Sequence, residues 1–141
     1  MIIKEQHVNV SQLEEVVRLI ENTNNLITLD KDDVKNVLVG KEGMLYQAFQ
    51  EESVENSTFM KEFFDVLKEK EFVQNCTHML INIGMIPEDP LMMEDIEIIN
   101  DFLESIDNEC IELKWGIKNN AEGEPMSILA ICTKEKWYYW I

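Results

Sequence analysis

Chemistry in this sequence concentrates in two short stretches. Asp30, Lys31, Asp32 and Asp33 place three carboxylates within four residues, at what reads as a loop-to-helix junction. Carboxylates at such a junction are ordinarily explained by the positive end of the helix dipole. Held as a pair, they would also suit polarising a water molecule or binding a cation. The second stretch is Trp137-Tyr138-Tyr139-Trp140-Ile141. It reads as an extension of the last strand that covers the domain's own core, or as an exposed aromatic strip for docking; the first reading is preferred.

Other reactive residue types fall into less suggestive patterns. Cys76 and His78 are two apart in an extended segment and would share one face, the minimum for a thiol beside a base. Placement in a core or at an edge is the better reading for both. His7 reads as an exposed residue in a floppy N-terminal stretch. Neither histidine has a second ligand at metal spacing. The five glycines are scattered, so no phosphate-binding loop is formed, and no EF-hand spacing occurs. Glu94, Asp95, Glu97, Asp101, Glu104 and Asp107 fall mostly on the polar side of one helix, a solvated face. Met92 and Met93 read as core filling. No metal and no cofactor is expected.

The elements that must position these residues follow from periodicity and punctuation. Ser11 with Glu14 forms an expected capping box, followed by Leu13, Val16, Val17 and Ile20 at helical spacing as far as about Asn22. A second, short helix opens at 30–33. Residues 44–49 read as a strand, and Ser57 caps a helix carrying Phe59, Phe63, Phe64 and Leu67. The run 77–85 is the strongest strand, apolar on both faces. Asp89 as cap and Pro90 at the first position start a helix over 91–106, with Ile96, Ile99, Leu103 and Ile106 on one face. Strands over 110–118 and 126–133 flank a hairpin-type loop, which predicts that they are antiparallel neighbours. The sum is a mixed sheet with helices packed on it.

Composition bounds the function. The chain has 141 residues, enough for a single domain. Twelve basic against twenty-eight acidic residues give a net charge of −16. That charge disfavours nucleic acid and an anionic membrane surface as partners. Hydrophobic residues make up 45%, and proline and glycine are few, which excludes a disordered chain. Three cysteines with no CxxC pair fit a reducing compartment. With no signal-like N-terminus and no apolar run of membrane length, the expected location is the cytoplasm.

The segment Leu26-Ile27-Thr28-Leu29-Asp30-Lys31-Asp32-Asp33-Val34-Lys35 resembles the synergy-loop segment of FtsZ, the bacterial tubulin homologue, which reads roughly Leu-Ile-Asn-Leu-Asp-Phe-Ala-Asp-Val-Lys. The preceding helix, with Val16, Val17, Leu19 and Ile20, is similar to the end of that family's long central helix. Gly43-Met44-Leu45-Tyr46 resembles the first strand of its C-terminal domain, and Leu80-Ile81-Asn82-Ile83 a later Leu-Val-Asn-Ile-Thr strand. Trp115-Gly116 and Leu129-Ala130 match its last two strands. The likeness spans about residues 10–133. It leaves residues 1–9 as an N-terminal extension, 10–25 as the leading helix and 134–141 as the aromatic tail.

The resemblance implies an α+β domain with a four-stranded mixed sheet of the tubulin C-terminal type. In FtsZ two aspartates of this loop enter the nucleotide pocket of the next subunit and help orient the water that attacks GTP. They fall on Asp30 and Asp33. Thr28 replaces the loop asparagine, and Lys31 and Asp32 replace the residues between the aspartates, so the loop surface is altered. The GTP-binding domain has no counterpart. The expectation is a non-catalytic binding or assembly module that docks through Thr28, Asp30, Lys31, Asp32 and Asp33 on an FtsZ-like GTPase and modulates its filament. The alternative is a self-associating structural or small-ligand protein of the same fold. An enzyme with an interface site ranks last, because no basic cluster is present to hold an anionic substrate.

Overall fold

The computed structural model describes residues 1–20, 29–106 and 111–135. Among the described residues, five strands form one sheet: β1 (Lys4–Val8), β2 (Lys41–Phe49), β3 (His78–Met85), β4 (Glu112–Asn119) and β5 (Ser127–Glu135). Among the same residues five α-helices accompany them: α1 (Leu13–Ile20), α2 (Lys31–Leu38), α3 (Asn56–Lys68), α4 (Glu71–Asn75) and α5 (Met93–Glu104). The sheet order is β1-β2-β5-β3-β4. β3 and β4 are parallel, and every other neighbouring pair is antiparallel.

Strand alternation divides the core between two faces. Met79, Ile81 and Ile83 of β3 enter a core with Phe59, Phe63, Phe64 and Phe102 from α3 and α5. Leu80 enters the opposite core, with Val16 and Ile20 of α1 and Val34, Val37 and Leu38 of α2. The sheet is thus the middle of three layers, and the doubly apolar run of β3 is accounted for. On the α1 side, Lys118 of β4 donates to the Leu19 carbonyl at 2.8 Å, tying the end of α1 to the sheet.

Several expectations need correction. The sheet has five strands, not four: β1 lies within the expected N-terminal extension and pairs along the edge with β2. His7 is exposed, as expected, but in this strand opposite Met44 rather than in a floppy stretch. β4 and β5 are not neighbours, because β3 runs between them. Their connection passes the end of β3, where the Asn120 N–H bonds the Met85 carbonyl at 2.8 Å and its side chain bonds the Pro125 carbonyl at 2.7 Å. Gly84 permits this passage, since a Cβ there would lie 2.3 Å from Asn120 Oδ1 and 2.4 Å from Ser127 Oγ.

Helix starts also shift. The first cap is Asn9, not Ser11: Asn9 Oδ1 accepts from the Ser11 N–H at 2.9 Å, and Gln12 Oε1 accepts from the Asn9 N–H at 2.8 Å. A 3-10 turn over Val10–Gln12 then leads into α1. Ser57 does not cap α3, which starts at Asn56 without a side-chain cap. α5 begins at Met93 because the Asp89 N–H closes a turn onto the Ile86 carbonyl at 2.9 Å. Asp95 then accepts from the Met92 N–H at 2.8 Å and is buried, unlike the solvated acids around it. Met92 and Met93 are exposed rather than core filling.

Candidate functional site

The start of α2 is built from the inside outward. Leu29 is buried in the α1–α2 core, and α2 continues that anchor with Val34, Val37 and Leu38. With one face so fixed, Asp30 and Asp32 are left exposed and Asp33 half-exposed. Asp30 is the N-cap, in extended conformation. Its Oδ1 accepts the Asp33 N–H at 3.0 Å, and Asp33 Oδ2 accepts the Asp30 N–H at 2.9 Å. The reciprocal capping box satisfies two N–H groups at the helix start. Each carboxylate uses one oxygen; the other, Asp30 Oδ2 or Asp33 Oδ1, accepts no hydrogen bond among the described residues.

Lys31 does not neutralise this pair. Its Nζ lies 2.9 Å from Glu14 Oε1, bracing α2 against α1. The hydrogen bond and charge of Lys31 hold the Glu14 carboxyl below its ordinary value. Thr28 lies outside the described residues, as do Trp137, Tyr138, Tyr139 and Trp140.

Asp33 also lines a recess of about 40 Å³ between α2 and β4, with Asn36, Val37, His78, Glu112 and Lys114. His78 Nε2 is 3.2 Å from Glu112 Oε2, and His78 Nδ1 is 2.9 Å from Thr77 Oγ1. Burial, with the charge of Lys41, pushes the imidazole below its usual range, and Glu112 and Glu135 oppose that shift. Cys76 and His78 do not pair, in keeping with the preferred reading of core or edge placement. Cys76 belongs to the α3–α5 core, where its thiol donates to the Val73 carbonyl at 3.2 Å, while His78 faces α2. Cys132 is buried in that core too, and its hydrogen bond with Cys76, together with burial, raises its thiol pKa well above the ordinary value. Glu112 as the partner of His78 was missed; only the parallel register of β3 on β4 sets the two opposite each other.

Among the described residues, no three His, Cys, Asp or Glu side chains cluster as a metal site, and no helix is long and apolar enough to cross a membrane. The arrangement at α2 therefore offers exposed carboxylates ordered by mutual capping at a helix start.

Comparison with solved structures places this architecture. The chain is similar to an FtsZ dimer from M. jannaschii described as empty, with 18% identity and a TM-score of 0.61 over 89% of this chain and 36% of that one. It is similar also to a tryptophan-to-tyrosine mutant of M. jannaschii FtsZ, with 16% identity and a TM-score of 0.54 over 89% of this chain and 38% of that one. The chain thus spans little more than a third of each, and the likeness is one of fold. No protein-family model and no curated protein matches the sequence. The fold is of the FtsZ C-terminal-domain type, with a five-stranded sheet.

Proposed function

We propose that this chain is a non-catalytic assembly module of the tubulin and FtsZ type, acting in cell division by docking through the start of α2 on the nucleotide face of an FtsZ-like GTPase in the cytoplasm. The observation that carries this reading is the mutual capping of Asp30 and Asp33. It orders the two carboxylates that the sequence resemblance sets on the synergy-loop aspartates, and one oxygen of each accepts no hydrogen bond among the described residues. A net charge of −16 makes unaided capture of a nucleotide's phosphates unfavourable, so another chain would supply the nucleotide. Co-sedimentation with GTP-assembled FtsZ filaments tests this. The Asp30→Asn/Asp33→Asn variant keeps capping side chains and removes both charges, and loss of binding is expected. Absence of binding by the unaltered chain, or equal binding by the variant, overturns the reading.

Self-association is the second reading, favoured by the dimeric state of one similar structure. It would use a surface other than the sheet edges, where exposed Lys4, Glu5 and Glu112 discourage strand pairing. Light scattering at several concentrations decides it: a strict monomer removes this reading.

A further inference from the structure

We propose that the apolar run at the start of α5 is a docking surface for a cationic amphipathic segment of another protein. The run is Pro90-Leu91-Met92-Met93, and none of these residues is buried. Met92 is 59% exposed and Met93 77%. Consecutive exposed apolar residues add nothing to the core and work against solubility, so such a run points to a surface that a partner covers. Methionine suits that purpose, because its unbranched, polarisable side chain adapts to apolar partners of different shape.

Charge identifies the occupant. The run is flanked by Glu88, Asp89 and Glu94, all exposed, and residues 86–94 include no lysine, arginine or histidine. A second acidic loop is fastened beside it. Asn56, buried at the start of α3, donates from Nδ2 to the Asp89 carbonyl at 3.0 Å and accepts from Gln50 Nε2 at 2.8 Å. Gln50 Nε2 also donates to the Val54 carbonyl at 2.7 Å. These amides hold residues 50–55 against the turn before α5, and that loop carries exposed Glu51, Glu52 and Glu55, again with no basic residue. Next to Met92, Asp95 is buried: one oxygen accepts the Met92 N–H at 2.8 Å, and Oδ1 accepts no hydrogen bond among the described residues. Every charged residue of the two loops is therefore acidic, and the loops are ordered before any partner arrives. On a chain of net charge −16, a second copy or an anionic membrane would meet like charge here. A segment with lysine or arginine beside apolar side chains matches both features, its cations facing the carboxylates and its apolar residues covering the methionines. The surface shares no residue with the start of α2, so it stands apart from the reading of that site.

The experiment titrates the full chain into a fluorescein-labelled peptide of lysine and leucine at helical spacing, read by fluorescence anisotropy. Saturable binding is expected, weaker as salt rises. Met92→Ser/Met93→Ser should weaken it about tenfold or more, the loss expected when apolar contact area is removed from an interface. Glu88→Gln/Glu94→Gln should weaken it several-fold and flatten the salt dependence. All four positions are exposed, and circular dichroism checks that both variants fold. A lysine–serine peptide of equal charge and a glutamate–leucine peptide should bind at least tenfold more weakly. In spectra of isotope-labelled methionine methyl groups, the two signals lost in Met92→Ser/Met93→Ser should shift most on adding the lysine–leucine peptide. Failure of that peptide to bind overturns the proposal. So does equal binding by the methionine variant, or by the lysine–serine peptide, which would leave net charge alone as the attraction. Methyl shifts confined to other methionines overturn it as well.

Discussion

Asp30 and Asp33 cap each other across the first turn of α2, at 3.0 Å in one direction and 2.9 Å in the other. One pair of side chains therefore has two separable properties, a hydrogen-bonding role in starting the helix and a charge facing outward. Asp30→Ala removes the acceptor for the Asp33 N–H and should lower stability by about 1 kcal/mol, the usual loss for a missing N-cap. Asp30→Asn keeps an acceptor and should stay within a few tenths of a kcal/mol of the parent. Urea unfolding of the two variants checks this, and equal losses would mean that the charge rather than the cap holds the helix start.

The other end of α2 is held by a buried residue of the central strand. Thr133 Oγ1 donates to the Val37 carbonyl at 2.6 Å, and Thr133 is fully buried. Thr133→Val keeps the shape and deletes the donor, leaving a buried carbonyl without its partner. A loss of about 1–3 kcal/mol is expected, measured as a lower urea midpoint with an unchanged slope. A neutral result would show that water reaches this carbonyl.

How far these relationships were legible in the sequence depends on whether they are local. Asp30 and Asp33 are three apart, the spacing of a capping box, so helix start and site were readable together. The run 79–83 was readable because burial on both faces writes an unbroken apolar stretch. β1 was not: its Lys4-Glu5-Gln6-His7-Val8 sequence buries only Val8, since an edge strand needs little apolar pattern to pair. The seat of β5 between β2 and β3 was also hidden, because a short loop after β4 looks like a hairpin until Asn120 is seen holding it past β3. Cys76 lies before the first residue of β3, so strand alternation does not tie its face to that of His78, and the preferred core placement holds. Asp95 looked like one more surface acid because the helix start had been placed several residues early.

A close approach of two strands makes a further test of the sheet order. A Cβ on Gly43 would lie 1.9 Å from the Cys132 carbonyl oxygen and 2.7 Å from the Thr133 Cα. Both are backbone atoms of the central strand, which cannot swing aside as a side chain can. Gly43→Ala should destabilise by about 3 kcal/mol or more, the upper end of overpacking. Gly123→Ala, which has open space but a φ of +85°, should be milder, about 1 kcal/mol of local backbone strain. Thermal unfolding of the two variants checks the ranking; the reverse order would place β2 and β5 farther apart than found here.

His78 makes stability depend on pH in a defined direction. Its folded-state pKa lies below the ordinary 6.5, chiefly through burial and then through Lys41, while Glu112 and Glu135 pull the other way. Well above pH 6.5 the imidazole is neutral in both folded and unfolded chains, and its contribution is constant. As pH falls through that value the unfolded chain takes up the proton first, so stability declines until the folded-state pKa is passed. His78→Gln should lose this part of the acid dependence while keeping a donor for Glu112. Glu112→Gln removes the carboxylate 3.2 Å from Nε2 and should deepen the decline, since the folded pKa then falls further. Urea midpoints of the three proteins across the titration range of histidine provide the measurement. Superimposable profiles for the parent and His78→Gln would show that this imidazole is as easily protonated in the folded protein as in the unfolded one.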